Sequence, residues 1–163
     1  DVAALFAAAV LRKNPDAEIV PFDTRVHDKH HLNSRDSIVT NAKTLAGFGG
    51  GGTNCSSALE YVNSKAGKGD LVIYISDNES WVDSVHRGAT ATMTEWNKFK
   101  SRNKDAQLVC IDLAPYASTQ AHDRSDILNI GGFSDQVFDV IARFVELGNN
   151  QDLWVKTIEG VNL

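Results

Sequence analysis

The sequence predicts an α/β fold: a doubly wound, mostly parallel sheet with helices on both faces. Three observations lead there. Leu71-Val72-Ile73-Tyr74-Ile75 and Leu108-Val109-Cys110-Ile111 are unbroken apolar runs, the mark of strands covered on both sides. Around them lie stretches whose apolar residues recur at helical spacing. Gly and Pro fall where such elements would meet, at Asn14-Pro15, Gly49 to Gly52, Gly67-Lys68-Gly69 and Gly131-Gly132.

Taken in order, Asp1 to Lys13 reads as a helix, with Val2, Leu5, Phe6, Ala9 and Val10 at compatible spacing and alanines at most other positions. Arg12 and Lys13 sit at its negative end. Ala17 to Phe22 reads as a strand, at an edge or bulge because Pro21 cannot donate to a ladder. Arg25 to Leu32 is expected to return antiparallel beside it. A second helix spans Ser34 to Ala46, with Ser34 as its cap. A third spans Cys55 to Ala66. Asp70 to Ser76 is a buried strand and residues 78–90 a loop. Ala91 to Ser101 is a helix presenting Met93, Trp96 and Phe99. Ala106 to Leu113 is a second buried strand, followed by a polar loop from Ala114 to Ser125. Asp126 to Ile130 is a short strand, and Asp135 to Leu147 the last long helix. The tail from Trp154 to Val161 is read as a short segment packing on the rim.

At 163 residues, 42% of them hydrophobic, residues 1–163 fit one domain with a real core. A net charge of −5 argues against a surface dominated by Lys and Arg and built for nucleic acid. Cys55 and Cys110 are too few for a disulfide framework and read as small buried thiols in a reducing, cytoplasmic setting. No apolar run approaches a membrane span. The chain opens directly on a helix, without an initiator Met, and is expected to be a piece of something longer.

The stretch Gly47-Phe48-Gly49-Gly50-Gly51-Gly52-Thr53-Asn54 is the candidate site, together with Asp77. Its glycines let the backbone approach a ligand closely. Thr53 offers a hydroxyl just before a helix, whose first N–H groups lack partners. Asp77 follows an apolar strand, so its carboxylate is expected at the carboxyl edge of the sheet, where ligands of open α/β folds collect. A hydroxyl and a carboxylate meeting there would suit Mg²⁺, a cation of hard oxygen ligands. Asn54 either caps the following helix or touches what binds the metal, with capping preferred. Glu79 stands as a supporting residue or a solvated one, and Ser76 adjoins Asp77. A phosphate loop fits less well, since Asn54 stands where a P-loop has its Lys. No nucleophile–base pair is apparent, and Gly-x-Ser-x-Gly is absent.

Other polar groups have plainer readings. His27, His30 and His31 lie beside Asp28, but a strand would send His27 and His30 to opposite faces, so a solvated edge is preferred to zinc. His86-Arg87 and His122-Asp123-Arg124 read as surface loop residues. Trp81 is a contact anchor or packs on the rim.

These residues resemble a known family. Gly51-Gly52-Thr53-Asn54 before a helix, Ser76-Asp77-Asn78-Glu79 after a strand, Leu108 to Leu113, Asp126 to Phe133, and the helix Asp139 to Phe144 together are similar to a von Willebrand factor A domain. The likeness is to the C-terminal A-type domain of the Ro autoantigen (TROVE) family and its bacterial relatives, over nearly the whole chain. It implies a metal-ion-dependent adhesion site, with Thr53 as the loop threonine and Asp77 as the later aspartate. The family's Asp-x-Ser-x-Ser motif is absent, as is its first, central strand, which an N-terminal segment outside these residues is expected to supply. The family's ring of helical repeats, which binds small noncoding RNA, is absent too. The implied function is a non-enzymatic binding module whose Mg²⁺ engages a carboxylate of a protein partner. Alternatives are a metal-assisted phosphatase or nucleotide-binding enzyme, and a structural domain with a degenerate metal site.

Overall fold

The structure is a computed structural model that describes residues 2–49, 52–76, 91–113 and 124–148. The loop at 78–90, most of the loop at 114–125 and the tail at 154–161 lie outside the described residues. The chain divides into two compact units, Asp1–Gly67 with Glu79–Trp96, and Lys68–Asn78 with Asn97–Leu163.

In the first unit, α1 (Val2–Lys13) packs on α2 (Ile38–Ala46). The buried face of α1 carries Phe6, Ala8 and Leu11, whereas Val2 and Leu5, expected inside, are exposed. Alanines make this helix apolar nearly all round, so spacing alone does not pick its face. Close approach does: Ala8, fully buried, meets Ala42 and Leu45, with Ala4, Ala7, Ile19 and Leu32 packed around them.

The cap of α2 lies three residues later than the sequence suggests, at Ser37 rather than Ser34, and the helix begins at Ile38. Asn33 closes a turn instead, its carbonyl accepting from Asp36 N–H (3.0 Å) and its Oδ1 from Arg35 N–H (2.9 Å). Ser37 is the cap, its Oγ accepting the Thr40 N–H at 3.0 Å. Asn41 holds the turn to the helix, donating from Nδ2 to the Asn33 carbonyl at 2.7 Å. The guanidinium of Arg12 adds bonds to the Ser34 and Arg35 carbonyls, both 3.0 Å.

The expected strands at 17–22 and 25–32 do not form. A single antiparallel bridge, Phe22 to Val26, joins them beside the turn. Beyond that bridge and turn, no backbone hydrogen bond links Glu18–Val20 or Asp28–Leu32 to another segment among the described residues. A strand is defined by its ladder, and high β-propensity does not make one without a partner.

The helix α3 (Ser56–Ser64) completes the arm of the unit that follows the glycine loop, and α4 (Ala91–Arg102) runs from the first unit into the second. Asn63 of α3 donates from Nδ2 to the carboxylate (2.8 Å) and carbonyl (2.9 Å) of the buried Glu95 in α4. Met93, Trp96 and Phe99 are buried, as their spacing predicts.

The second unit holds a parallel three-stranded sheet, β1 (Leu71–Ser76), β2 (Gln107–Asp112) and β3 (Ile127–Gly131), in that order. Its register pairs Leu71 with Gln107 and Leu108 with Ile127. The helix α5 (Gln136–Leu147) buries Val137, Ile141 and Phe144, and the Phe144 carbonyl accepts from Gln107 Nε2 at 3.0 Å. At the entry to β3, Asp126 is clamped by Arg124 through two bonds of 2.9 and 2.8 Å, with Lys100 3.6 Å away. Arg124, read from sequence as a loop surface residue, therefore has a structural partner. The Asp126 carbonyl takes the Leu108 N–H at 2.9 Å and so fixes where β3 meets β2. No helix among the described residues is long and apolar enough to cross a membrane.

Candidate functional site

The glycine loop leaves α2 through Gly47. Gly49 has φ of +120°, a conformation that side chains disfavour. Thr53, half-buried, precedes α3. Asn54 is fixed on both sides. Its N–H donates to the Asp23 carbonyl at 2.8 Å, and its Oδ1 accepts from the Ser56 hydroxyl at 3.0 Å. Its carbonyl accepts the Ser57 N–H (3.3 Å) and hydroxyl (2.8 Å). Asn54 thus organises the entry to α3 through its carbonyl and a neighbouring hydroxyl. The N-cap is Cys55, which makes no side-chain cap bond, so the side-chain cap read from sequence is not made.

Asp23, which receives Asn54, is itself the centre of a tight turn. Its Oδ1 accepts from Arg25 N–H (3.1 Å) and the Thr24 hydroxyl (3.3 Å), and its Oδ2 lies 3.1 Å from His27 Nε2. Burial pushes this carboxyl up. The Arg25 N–H, the His27 bond and charge, and the Thr24 hydroxyl outweigh it and hold Asp23 below the ordinary carboxylate value. His27 and His30 both lie against the Phe48 ring, at 5.4 and 6.0 Å, rather than on opposite faces, because their segment is not a regular strand.

In the second unit the three strands finish level. Ser76 pairs with Asp112, and Asp112 with Gly131. The Ser76 carbonyl accepts the Leu113 N–H at 2.9 Å, and the Asp112 carbonyl accepts the Gly132 N–H at 2.7 Å. Gly132, at φ +81°, makes that last turn feasible. Sequence reading passed over Asp112. It carries the same signal as Asp77, a carboxylate ending an apolar run, but stands in no motif.

Of the residues singled out from sequence, Thr53, Asn54 and Ser76 are described. Asp77 and Glu79 lie outside the described residues, as do Asn78, Trp81, His86, Arg87, His122 and Asp123. Among the described residues, no three His, Cys, Asp or Glu side chains gather as a metal-binding group. The oxygens of Thr53, Ser76 and Asp112 are hard donors of the type Mg²⁺ takes. Cys55 and Cys110 are both free thiols, the first buried.

A family described as the Ro60 vWA domain matches residues 1–145. The chain belongs to the Ro60 vWA domain family. Its fold agrees: the crystal structure of the Deinococcus radiodurans RO (RSR) protein superposes with a TM-score of 0.66 at 19% identity. That match covers 88% of this chain and 28% of the Deinococcus chain, so the present Ro60 vWA domain spans a little over a quarter of that relative. No curated protein sequence matches it. The α/β class and the parallel sheet read from sequence are thus those of a Ro-type vWA domain.

Proposed function

We propose that this vWA domain is a non-enzymatic binding module of a cytoplasmic, Ro-type protein, and that it engages a carboxylate of a partner protein through Mg²⁺. The observation that carries the reading is the level carboxyl edge formed by Ser76, Asp112 and Gly131. The chain delivers Asp77 as the residue directly after Ser76. Thr53 and Asp77 would hold the ion, with Ser76, Asn54 and Glu79 around them. Bound there, Mg²⁺ would supply an open coordination position for a carboxylate oxygen. Asn54, anchored to Asp23 and Ser56, would keep Thr53 in place during binding. RNA would bind elsewhere in the parent protein, on a domain outside this chain. A preceding segment would supply the first strand of the family, a reading supported by the backbone of Glu18–Val20, which has no backbone partner in another segment among the described residues.

The test is thermal unfolding of the full-length protein across a Mg²⁺ or Mn²⁺ titration. At 100 times the dissociation constant, one site adds about 2.7 kcal/mol. At roughly 2–4 °C per kcal/mol, the Tm should rise by about 5–11 °C. Asp77→Ala and Thr53→Ala should each abolish the rise while leaving the metal-free Tm nearly unchanged. A flat titration of the unmutated protein would sink the metal reading.

A further inference from the structure

The two ends of the glycine loop are held by the turn from Asp23 to His27. The Asn54 N–H bonds to the Asp23 carbonyl at 2.8 Å, and the Phe48 ring meets His27 at 5.4 Å and His30 at 6.0 Å. Asp23 is itself fixed at three further points. Its N–H donates to the Arg25 carbonyl at 2.9 Å, its Oδ1 accepts from the Arg25 N–H at 3.1 Å, and its Oδ2 lies 3.1 Å from His27 Nε2. The direction of the carbonyl that receives Asn54 therefore depends on how the carboxylate is held. His27 joins both holds, with Asp23 at its Nε2 and Phe48 against its ring. That Nε2 is buried, and no other hydrogen-bond partner reaches it among the described residues. A buried imidazole nitrogen facing a carboxylate makes a contact that strengthens when the ring takes a proton.

We propose that His27 and Asp23 form a proton-dependent latch on the glycine loop, closed when the imidazole is charged and slack when it is neutral. The closed form needs an ionised Asp23 as well. Burial raises this carboxyl, yet the Arg25 N–H, His27 and the Thr24 hydroxyl hold it below its ordinary value, so it stays ionised in mild acid. An imidazole ordinarily takes its proton as pH falls through about 6.5. The latch is thus complete below that range and is lost as pH rises through it. Other charges face the same ring. Glu18, Asp28, His30, His31 and Tyr61 line the cleft that His27 borders, and Arg25 adjoins Asp23. Glu18 and Asp28 favour a charged His27, whereas Arg25 and any proton on His30 or His31 oppose it. His30 Nδ1 is buried without a hydrogen-bond partner among the described residues, so no carboxylate serves it there as Asp23 serves His27. The latch goes beyond the Mg²⁺ reading and stands without it. Only its consequence, a Thr53 presented more firmly in mild acid, rests on that reading.

The experiment is amide hydrogen exchange at Asn54 in the full-length protein, free of divalent metal, at about pH 5.5 and pH 7.5. The readout is the protection factor, which divides out the intrinsic exchange rate at each pH. Protection at Asn54 should be about three- to fivefold greater at the lower pH, the upper end of what an exposed ion pair gives, since the two side chains are only 20% and 15% exposed. Asp23→Asn keeps the backbone carbonyl and an acceptor for the Arg25 N–H, and His27→Phe keeps a ring beside Phe48. Each should remove the pH difference, and His30→Phe should retain it. Four results would overturn the proposal. Protection in the unmutated protein could be equal at the two pH values, or greater at the higher one. The pH difference could survive in Asp23→Asn or in His27→Phe. Or it could vanish in His30→Phe, which would assign the proton to His30. With metal left out, a failure of Mg²⁺ to bind touches none of these outcomes, so the two readings fail separately.

Discussion

Replacing Asp126 by Ala should destabilise the second unit more than any other single polar change in it. The side chain of Asp126 is only 6% exposed and takes two bonds from Arg124, with Lys100 at 3.6 Å. Removing one partner of a buried ion pair costs about 3–5 kcal/mol. Here both cations keep other bonds, Arg124 to Asn97 Oδ1 at 2.7 Å and Lys100 to the Ala106 carbonyl. Arg124 is also 36% exposed, so water relieves much of its charge. The cost should therefore fall to about 2–3 kcal/mol, or a Tm drop of roughly 4–12 °C. Asp126→Asn keeps an acceptor for one Arg124 bond and should lose about half as much. Thermal unfolding of the full-length protein, followed by far-ultraviolet circular dichroism, measures both. A loss below about 1 kcal/mol for Asp126→Ala would place the pair with surface ion pairs and refute the argument from burial.

Two further outcomes follow from the first unit. At Gly67 a Cβ would stand 2.5 Å from Val62 Cγ1 and 3.0 Å from its carbonyl oxygen, so Gly67→Ala should cost about 1–3 kcal/mol. Adding Val62→Ala removes the nearer clash, and the double variant should melt above the sum of the two losses in a double-mutant cycle. The lowered carboxyl of Asp23 contributes stability that is complete above the unfolded value near 3.9 and is lost as pH falls through the folded value. Asp23→Asn should flatten that acid-side loss by about 1 kcal/mol or less, read as the difference in denaturant midpoint between pH 6 and pH 3.

The legible parts of the fold are those whose partners lie inside the chain. The apolar runs at 71–75 and 108–111 became β1 and β2 because each finds the other in parallel register. The arm at 17–22 carries Ile19, Val20 and Phe22, and the arm at 25–32 alternates only weakly; one bridge joins them. Propensity and alternation report how well a residue fits a ladder, not whether a ladder exists. The start of α2 was misplaced because Ser34 and Ser37 both look like caps. Only the Asn33 turn and the Arg12 bonds, which sequence does not reveal, decide for Ser37. Thr53 precedes α3 and Ser76 ends β1, as their places beside an apolar helix and an apolar strand lead one to expect. Asp112 stands in no motif; its signal is only the repeated chemistry of an acid closing a buried strand.

The common finish of the three strands has a consequence for how the edge at Asp112 is tuned. Register is a count, and it is set where the strands begin: Gln107 N–H bonds to the Asp70 carbonyl and Leu108 N–H to the Asp126 carbonyl, both at 2.9 Å. Five residue steps from Gln107, and four from Leu108, at about 3.3 Å each separate these anchors from Asp112, a lever of roughly 13–17 Å. A slip of one position at the anchored end would turn Asp112 to the opposite side of the sheet. The clamp of Arg124 on the Asp126 side chain holds the backbone that sets this count, so the start of the strand and its far end at Asp112 are tied together through the ladder.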